Sequence, residues 1–146
     1  MPLSIRPLVA ADHDQWRTLW RGYLDFYESD VPDDVTALAW SRILDPEAPI
    51  HGLCAVDEAG RLLGIVHYLF HPVTWAAGPR CYLEDLFTAK EARGRGAGRA
   101  LIEAVYAAAD ARGADQVYWL TQEFNTTARR LYDQVAKATP FIKYRR

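Results

Sequence analysis

Apolar residues are distributed along this chain in two textures, helical spacing up to about residue 50 and largely β alternation beyond it. Ser4 to Leu8 is short and alternating, which predicts a first strand. Trp16, Leu19, Trp20, Tyr23, Leu24 and Tyr27 then recur on one helical face, a heavily aromatic stripe that must be buried against something. Asp12 stands where the N-cap of that helix belongs, with Gln15 placed to complete a capping box. Pro32, followed by Asp33 and Asp34, opens a second helix through Leu44, closed by Asp45-Pro46.

From His51 the texture is β. Leu53 to Val56, a turn at Asp57-Glu58-Ala59-Gly60 and Leu62 to Phe70 predict a hairpin. Pro72 to Pro79 is a loop carrying Trp75, and Cys81 to Thr88 is a further strand with two acidic residues, Glu84 and Asp85, in its middle. Next come Arg93-Gly94-Arg95-Gly96-Ala97-Gly98 and a helix from Arg99 to Arg112, stopped by Gly113; Ala97, Leu101, Ala104, Val105 and Ala108 form its inner face. Gln116 to Thr121 predicts a strand, Asn125 caps a last helix through Ala136, and Phe141 to Tyr144 is placed to close the sheet. The order mixes an antiparallel half with a β-α-β-α-β half, an α/β or α+β sheet with helices on both faces.

Composition narrows the picture without redirecting it. With 146 residues, half of them hydrophobic, one domain spanning 1–146 is expected. Lys and Arg total 17 against 19 Asp and Glu, a net charge of −2, too balanced to suggest nucleic acid or an acidic membrane as partner. Cys54 and Cys81 lie in apolar strands, as buried thiols of a reducing, cytoplasmic compartment would; neither a metal site nor a disulfide framework is expected. No stretch approaches the roughly 18 apolar residues of a membrane span.

The glycine-rich segment carries the chemistry. Alternate glycines bend the backbone and expose N–H groups at the positive end of the following helix, a cradle for phosphate. There is no Gly-Lys-Ser/Thr of a Walker loop, and G-x-G-x-G is not the dinucleotide G-x-G-x-x-G. A plain basic turn or an Arg/Gly nucleic-acid segment would lack the strand and helix that frame it.

The segment resembles the pyrophosphate loop of the GNAT N-acetyltransferases, whose Arg/Gln-x-x-Gly-x-Gly/Ala pattern is met by Arg93, Gly96 and Gly98. The resemblance extends to the acidic strand before it and to Asn125 and Tyr132 after it. It implies a mixed, mostly antiparallel sheet of six to seven strands flanked by about four helices. It also implies acetyl-CoA as co-substrate, held by Arg93, Gly94, Arg95, Gly96, Ala97, Gly98 and Arg99 at its pyrophosphate. The pantetheine arm would pair with Leu86, Phe87 and Thr88 and touch Asn125, for which a simple N-cap role is an equal and compatible reading.

An alkyl ammonium has a pKa of about 10.4, so removing its proton at neutral pH costs on the order of 4 to 5 kcal/mol. Glu84 is the candidate base; Asp85 faces away if alternation holds, unless a bulge brings either carboxylate to the site. A surface salt bridge is the plain alternative for the pair. Tyr-Leu-Glu-Asp-Leu-Phe looks most like the spermidine/spermine N-acetyltransferase branch, which implies that Glu84 and Asp85 serve the amine, with Trp75, Tyr27 and Glu28 on the acceptor side. The family pattern further implies the Leu86 N–H as oxyanion donor and Tyr132 as general acid to the leaving thiolate, although Tyr132 equally suits an apolar face with Ala128, Leu131 and Val135. His67 and His71 carry little weight as alternative bases.

The reading is direct acetyl transfer from acetyl-CoA to a primary amine of a polyamine-like or lysine-type acceptor, by a homodimer that uses no metal. The competing class is a non-catalytic acyl-CoA-binding regulatory module of the same fold.

Overall fold

The computed structural model describes residues 2–146. Strand β1 (Ser4–Pro7) is antiparallel to β2 (Ile50–Val56), β2 to β3 (Leu62–His71) and β3 to β4 (Arg80–Thr88). Strand β5 (Val117–Tyr118) joins the outer side of β4 in parallel, giving the order β1-β2-β3-β4-β5. A parallel step needs a crossover, and α3 (Ala97–Ala111) supplies it. Helices α1 (His13–Phe26) and α2 (Asp33–Leu44) cover one face of the sheet, and α3 with α4 (Thr126–Val135) covers the other.

The aromatic stripe behaves as its spacing requires. Trp16 is fully buried, stacks on Trp20 at 6.0 Å and meets Trp40 of α2 at 4.7 Å, so the rings weld both helices to the sheet. On the other face Ala97, Leu101, Ile102, Val105 and Ala109 of α3 are buried, and Gly113 ends the helix in the left-handed conformation, with the Ala114 N–H reaching the Ala109 carbonyl. Asp57 closes the β2–β3 turn by accepting from the N–H groups of Ala59 and Arg61, each at 2.9 Å.

Three expectations are corrected. Asp12 does not cap α1: its carboxylate is taken by Arg6, at 2.7 and 2.9 Å, and by the Val9 N–H, closing the short 3-10 turn Ala10–Asp12 ahead of the helix. Gln15 likewise turns away, accepting from the Leu62 N–H across the sheet. The sheet has five strands, not six to seven, because Gln116 to Thr121 yields only the two residues of β5 and Phe141 to Tyr144 is irregular. So short an edge gives a closing strand too little to pair with, and Phe141, Ile142 and Tyr144 stand exposed.

Candidate active site

Strands β4 and β5 pair only through Cys81↔Val117 and Tyr82↔Tyr118. Beyond Tyr82 they part, so from Leu83 to Thr88 the β5-facing edge of β4 has no strand partner among the described residues. The Ala89 N–H donates to the Leu63 carbonyl at 2.8 Å, and Phe87 and Asp85 stand opposite Ile65 and His67. In that phase Phe87 and Asp85 bond to β3, while Leu86 and Thr88 turn their N–H and C=O groups into the gap. The backbones of Leu86 and Thr88 are therefore available to an extended ligand and that of Phe87 is not, which corrects one of the three predicted contacts. The Phe87 ring instead packs under α1, against Gly22 and Tyr23.

The gap opens at a β-bulge. His67 stands opposite Asp85 and Tyr68 opposite Leu83, leaving Glu84 as the extra residue. Alternation breaks there: Leu83 and Leu86 both pack toward α3, and the two carboxylates between them share the α1 side, where Tyr23 and Tyr82 feel both charges. Glu84 is exposed, yet partial loss of hydration, and then the Asp85 charge, push its carboxyl above the usual carboxylate range. Asp85 is restrained: its Oδ2 is 3.0 Å from His67 Nδ1, and, after burial, its charge helps push the Tyr23 hydroxyl up.

Tyr132 approaches from α4, its ring edge-on to Trp119 at 5.4 Å. Burial, and then Tyr27, push its hydroxyl up to about 12. Tyr27 at the end of α1 is raised by burial and by Asp85, so it lies within electrostatic reach of both Asp85 and Tyr132. Glu84, Asp85, Tyr23, Tyr27 and Tyr132 thus form one cluster drawn from β4, α1 and α4.

At the far end of β4, Gly94 and Gly96 both adopt φ 81°, and a Cβ on either would meet nothing, so handedness and not crowding requires glycine there. Gly96 caps α3, accepting from the Ala100 N–H at 3.0 Å, which leaves the N–H groups of Ala97, Gly98 and Arg99 without partners inside the helix. They project from its positive end. Gly98 meets a different need: a Cβ there would lie 3.3 Å from Leu131 and 3.7 Å from Thr88 Oγ1, so α3 is drawn close to α4 and β4. Arg93 is exposed, Arg95 is partly buried, and Arg99 leans on α4 through Gln134, with Glu103 4.0 Å away. Asn125 is the N-cap of α4, accepting from the Ala128 N–H at 3.4 Å.

Trp75 is 88% exposed in the β3–β4 loop, at the end of β4 opposite the glycine segment and outside the cluster. Glu28 sits on the rim beside Tyr27, with a left-handed φ of 51°. His71 bonds the Tyr118 hydroxyl at 2.8 Å, away from the carboxylates, and burial raises the Cys81 thiol to about 11, out of nucleophilic range. Tyr23 and His67 are the site neighbours that the sequence reading undervalued. One looked like core and the other like an ordinary strand histidine, and only the β3–β4 register sets His67 against Asp85.

A strand edge with unpaired backbone groups that leads to an exposed helix N-terminus is an arrangement suited to an extended, anionic ligand. Residues 13–136 match the model of the acetyltransferase (GNAT) family; the chain belongs to that family and is an acyl-CoA-dependent N-acetyltransferase. It is 36% identical over 145 residues to the D-amino-acid N-acetyltransferase HPA3 of Saccharomyces cerevisiae, covering 99% of this chain and 90% of that one. The aminoglycoside acetyltransferase AAC(6')-Iy, in complex with a bisubstrate analogue, shares the fold with a TM-score of 0.86 and 21% identity over 100% of this chain and 98% of its own. The ribosomal-protein-alanine N-acetyltransferase of Brucella melitensis biovar Abortus 2308 does so with 0.81 and 22%, over 99% and 97%.

Proposed function

We propose that this enzyme transfers an acetyl group from acetyl-CoA to the primary amine of a cationic acceptor, polyamine-like or lysine-type. The observation that carries the reading is the bulge that sets two carboxylates at the mouth of the β4–β5 gap. When bound, acetyl-CoA supplies a thioester carbonyl open to attack by an amine. The Ala97, Gly98 and Arg99 N–H groups, with Arg93 and Arg95, take up pyrophosphate charge; Leu86 and Thr88 pair with the extended arm, and Asn125 stands beside it.

Asp85 anchors the ammonium and Glu84 accepts its proton, directly or through water. The Leu86 N–H steadies negative charge at the reacting carbonyl. Tyr132 serves the leaving sulfur. With its hydroxyl near 12, well above the thiol's usual value of about 8.5, it is always protonated but a weak acid. It therefore donates a hydrogen bond to the developing thiolate and completes the transfer as the amine's proton becomes available.

The HPA3 relationship favours a second acceptor class, D-amino acids. Their carboxylate would meet like charge at Glu84 and Asp85, so they would have to bind with that group turned away. Release of free CoA thiol, measured with polyamines, lysine peptides, aminoglycosides and D- and L-amino acids, tests both. Turnover of cationic acceptors supports the first reading, turnover confined to D-amino acids replaces it with the second, and no turnover refutes both. The exposed aromatic end of the chain suits a homodimer, and the buried thiols Cys54 and Cys81 suit a reducing, cytoplasmic setting.

A further inference from the structure

Between α1 and the sheet lies a chain of hydrogen-bonded side chains not yet given a task. The Trp16 indole Nε1–H points at His67 Nε2, 3.0 Å away, and His67 Nδ1 is 3.0 Å from Asp85 Oδ2. An indole N–H can only donate, so Nε2 must accept; the ring proton then sits on Nδ1 and is donated to Asp85. Trp16 is 0% and His67 4% exposed. A proton on Nε2 would set two N–H groups face to face in a dry interior, at the cost of a lost hydrogen bond. The groups that face the imidazole are Asp85 and Glu84 on β4, Trp16 and Trp20 on α1, and Gly52 on β2.

We propose that His67 is a positioning residue for the acceptor ammonium: held as the Nδ1–H tautomer by Trp16, it donates to the Asp85 carboxylate and keeps it in one orientation to meet that charge. The proposal rests on the acetyl-transfer reading of the cleft. It divides labour within the acidic pair, since the restrained Asp85 anchors and the unrestrained Glu84 moves the proton. It also gives Trp16 a role that ring size alone would not fill. Without the indole donor nothing fixes the ring proton on Nδ1, and the hydrogen bond that orients Asp85 is no longer imposed.

Three measurements test this. Nitrogen chemical shifts of His67 should show Nδ1 protonated and Nε2 bare. His67→Leu, which keeps bulk without a donor, should raise the acceptor KM about tenfold and leave kcat and the acetyl-CoA KM within about threefold. His67→Asn, which keeps a donor near the Nδ1 position, should recover most of that loss, and His67→Leu should add nothing once Asp85→Asn is present. Trp16→Phe, which removes the indole donor, should let a protonated Nε2 appear in those nitrogen shifts and raise the acceptor KM.

A protonated Nε2 in the wild type overturns the lock. Equal acceptor KM values for His67→Leu and His67→Asn, or an effect of His67→Leu that persists in full over Asp85→Asn, overturn the positioning role while amine acetylation stands. Wild-type protein that acetylates no amine overturns the cleft's reading and the positioning role together. If His67→Leu does not fold, the nitrogen shifts and His67→Asn decide.

Discussion

Desolvation displaces Glu84 and Tyr132 upward, less firmly for the solvent-screened Glu84, with opposite consequences. A raised carboxyl is a better base near neutral pH, but its charged form sits poorly in the fold. Because the folded-state value lies above the unfolded one, the contribution of Glu84 to stability is present at low pH and lost as pH rises through the folded-state value. Glu84→Gln should therefore unfold at a higher temperature than wild type at pH 7, with the difference shrinking toward pH 4. The same substitution should cut kcat/KM by at least about a hundredfold and abolish the acidic limb of its pH profile. Tyr132→Phe should lower kcat by about a hundredfold and leave the acetyl-CoA KM nearly unchanged, which single-turnover assays can check. At this scale Glu84, Asp85, Tyr27 and Tyr132 were candidates from the family resemblance, and the fold brings them together. His67 and Tyr23 were not, since their partner, Asp85, is defined by strand register and by which way α1 faces.

Among the elements, the ends of helices hold the local tension. Glu28 closes α1 in a left-handed conformation, with the Ser29 N–H on the Leu24 carbonyl at 2.9 Å and the Glu28 N–H on that of Asp25 at 3.0 Å, an arrangement usually given to glycine. Glu28→Gly should stabilise the protein by up to about 1 kcal/mol in urea unfolding. If Glu28 serves the acceptor, its KM should rise in the same variant. Gly96→Ala carries the reverse penalty, about 1 to 2 kcal/mol for a left-handed alanine, and should weaken acetyl-CoA binding in calorimetry while sparing the acceptor KM. Helix existence was plain from periodicity, whereas the Asp12–Gln15 box on α1 was not realised, because Asp12 serves Arg6 and the Val9 N–H of the preceding turn instead. The expected strand at Phe141 to Tyr144 had the right alternation but no edge of sufficient length to join.

For the molecule as a whole, a net charge of −2 coexists with a basic glycine loop, so attraction for a polyanionic ligand is local and should be screened by salt. The exposed Phe141, Ile142 and Tyr144 contribute nothing to the monomer's core. Deleting residues 140–146 should leave the thermal midpoint of a monomer unchanged and, if the protein is a homodimer, reduce its sedimentation coefficient to the monomer value. The bulge has a further consequence, seen by imagining the strand without it. Remove Glu84, and Leu83, Asp85, Leu86, Phe87 and Thr88 alternate perfectly between the two faces while facing the same β3 partners as before. The proposed base is thus an insertion in a ladder that is complete without it. A one-residue deletion should yield a protein with a more regular sheet, an intact acetyl-CoA site and no acetylating activity.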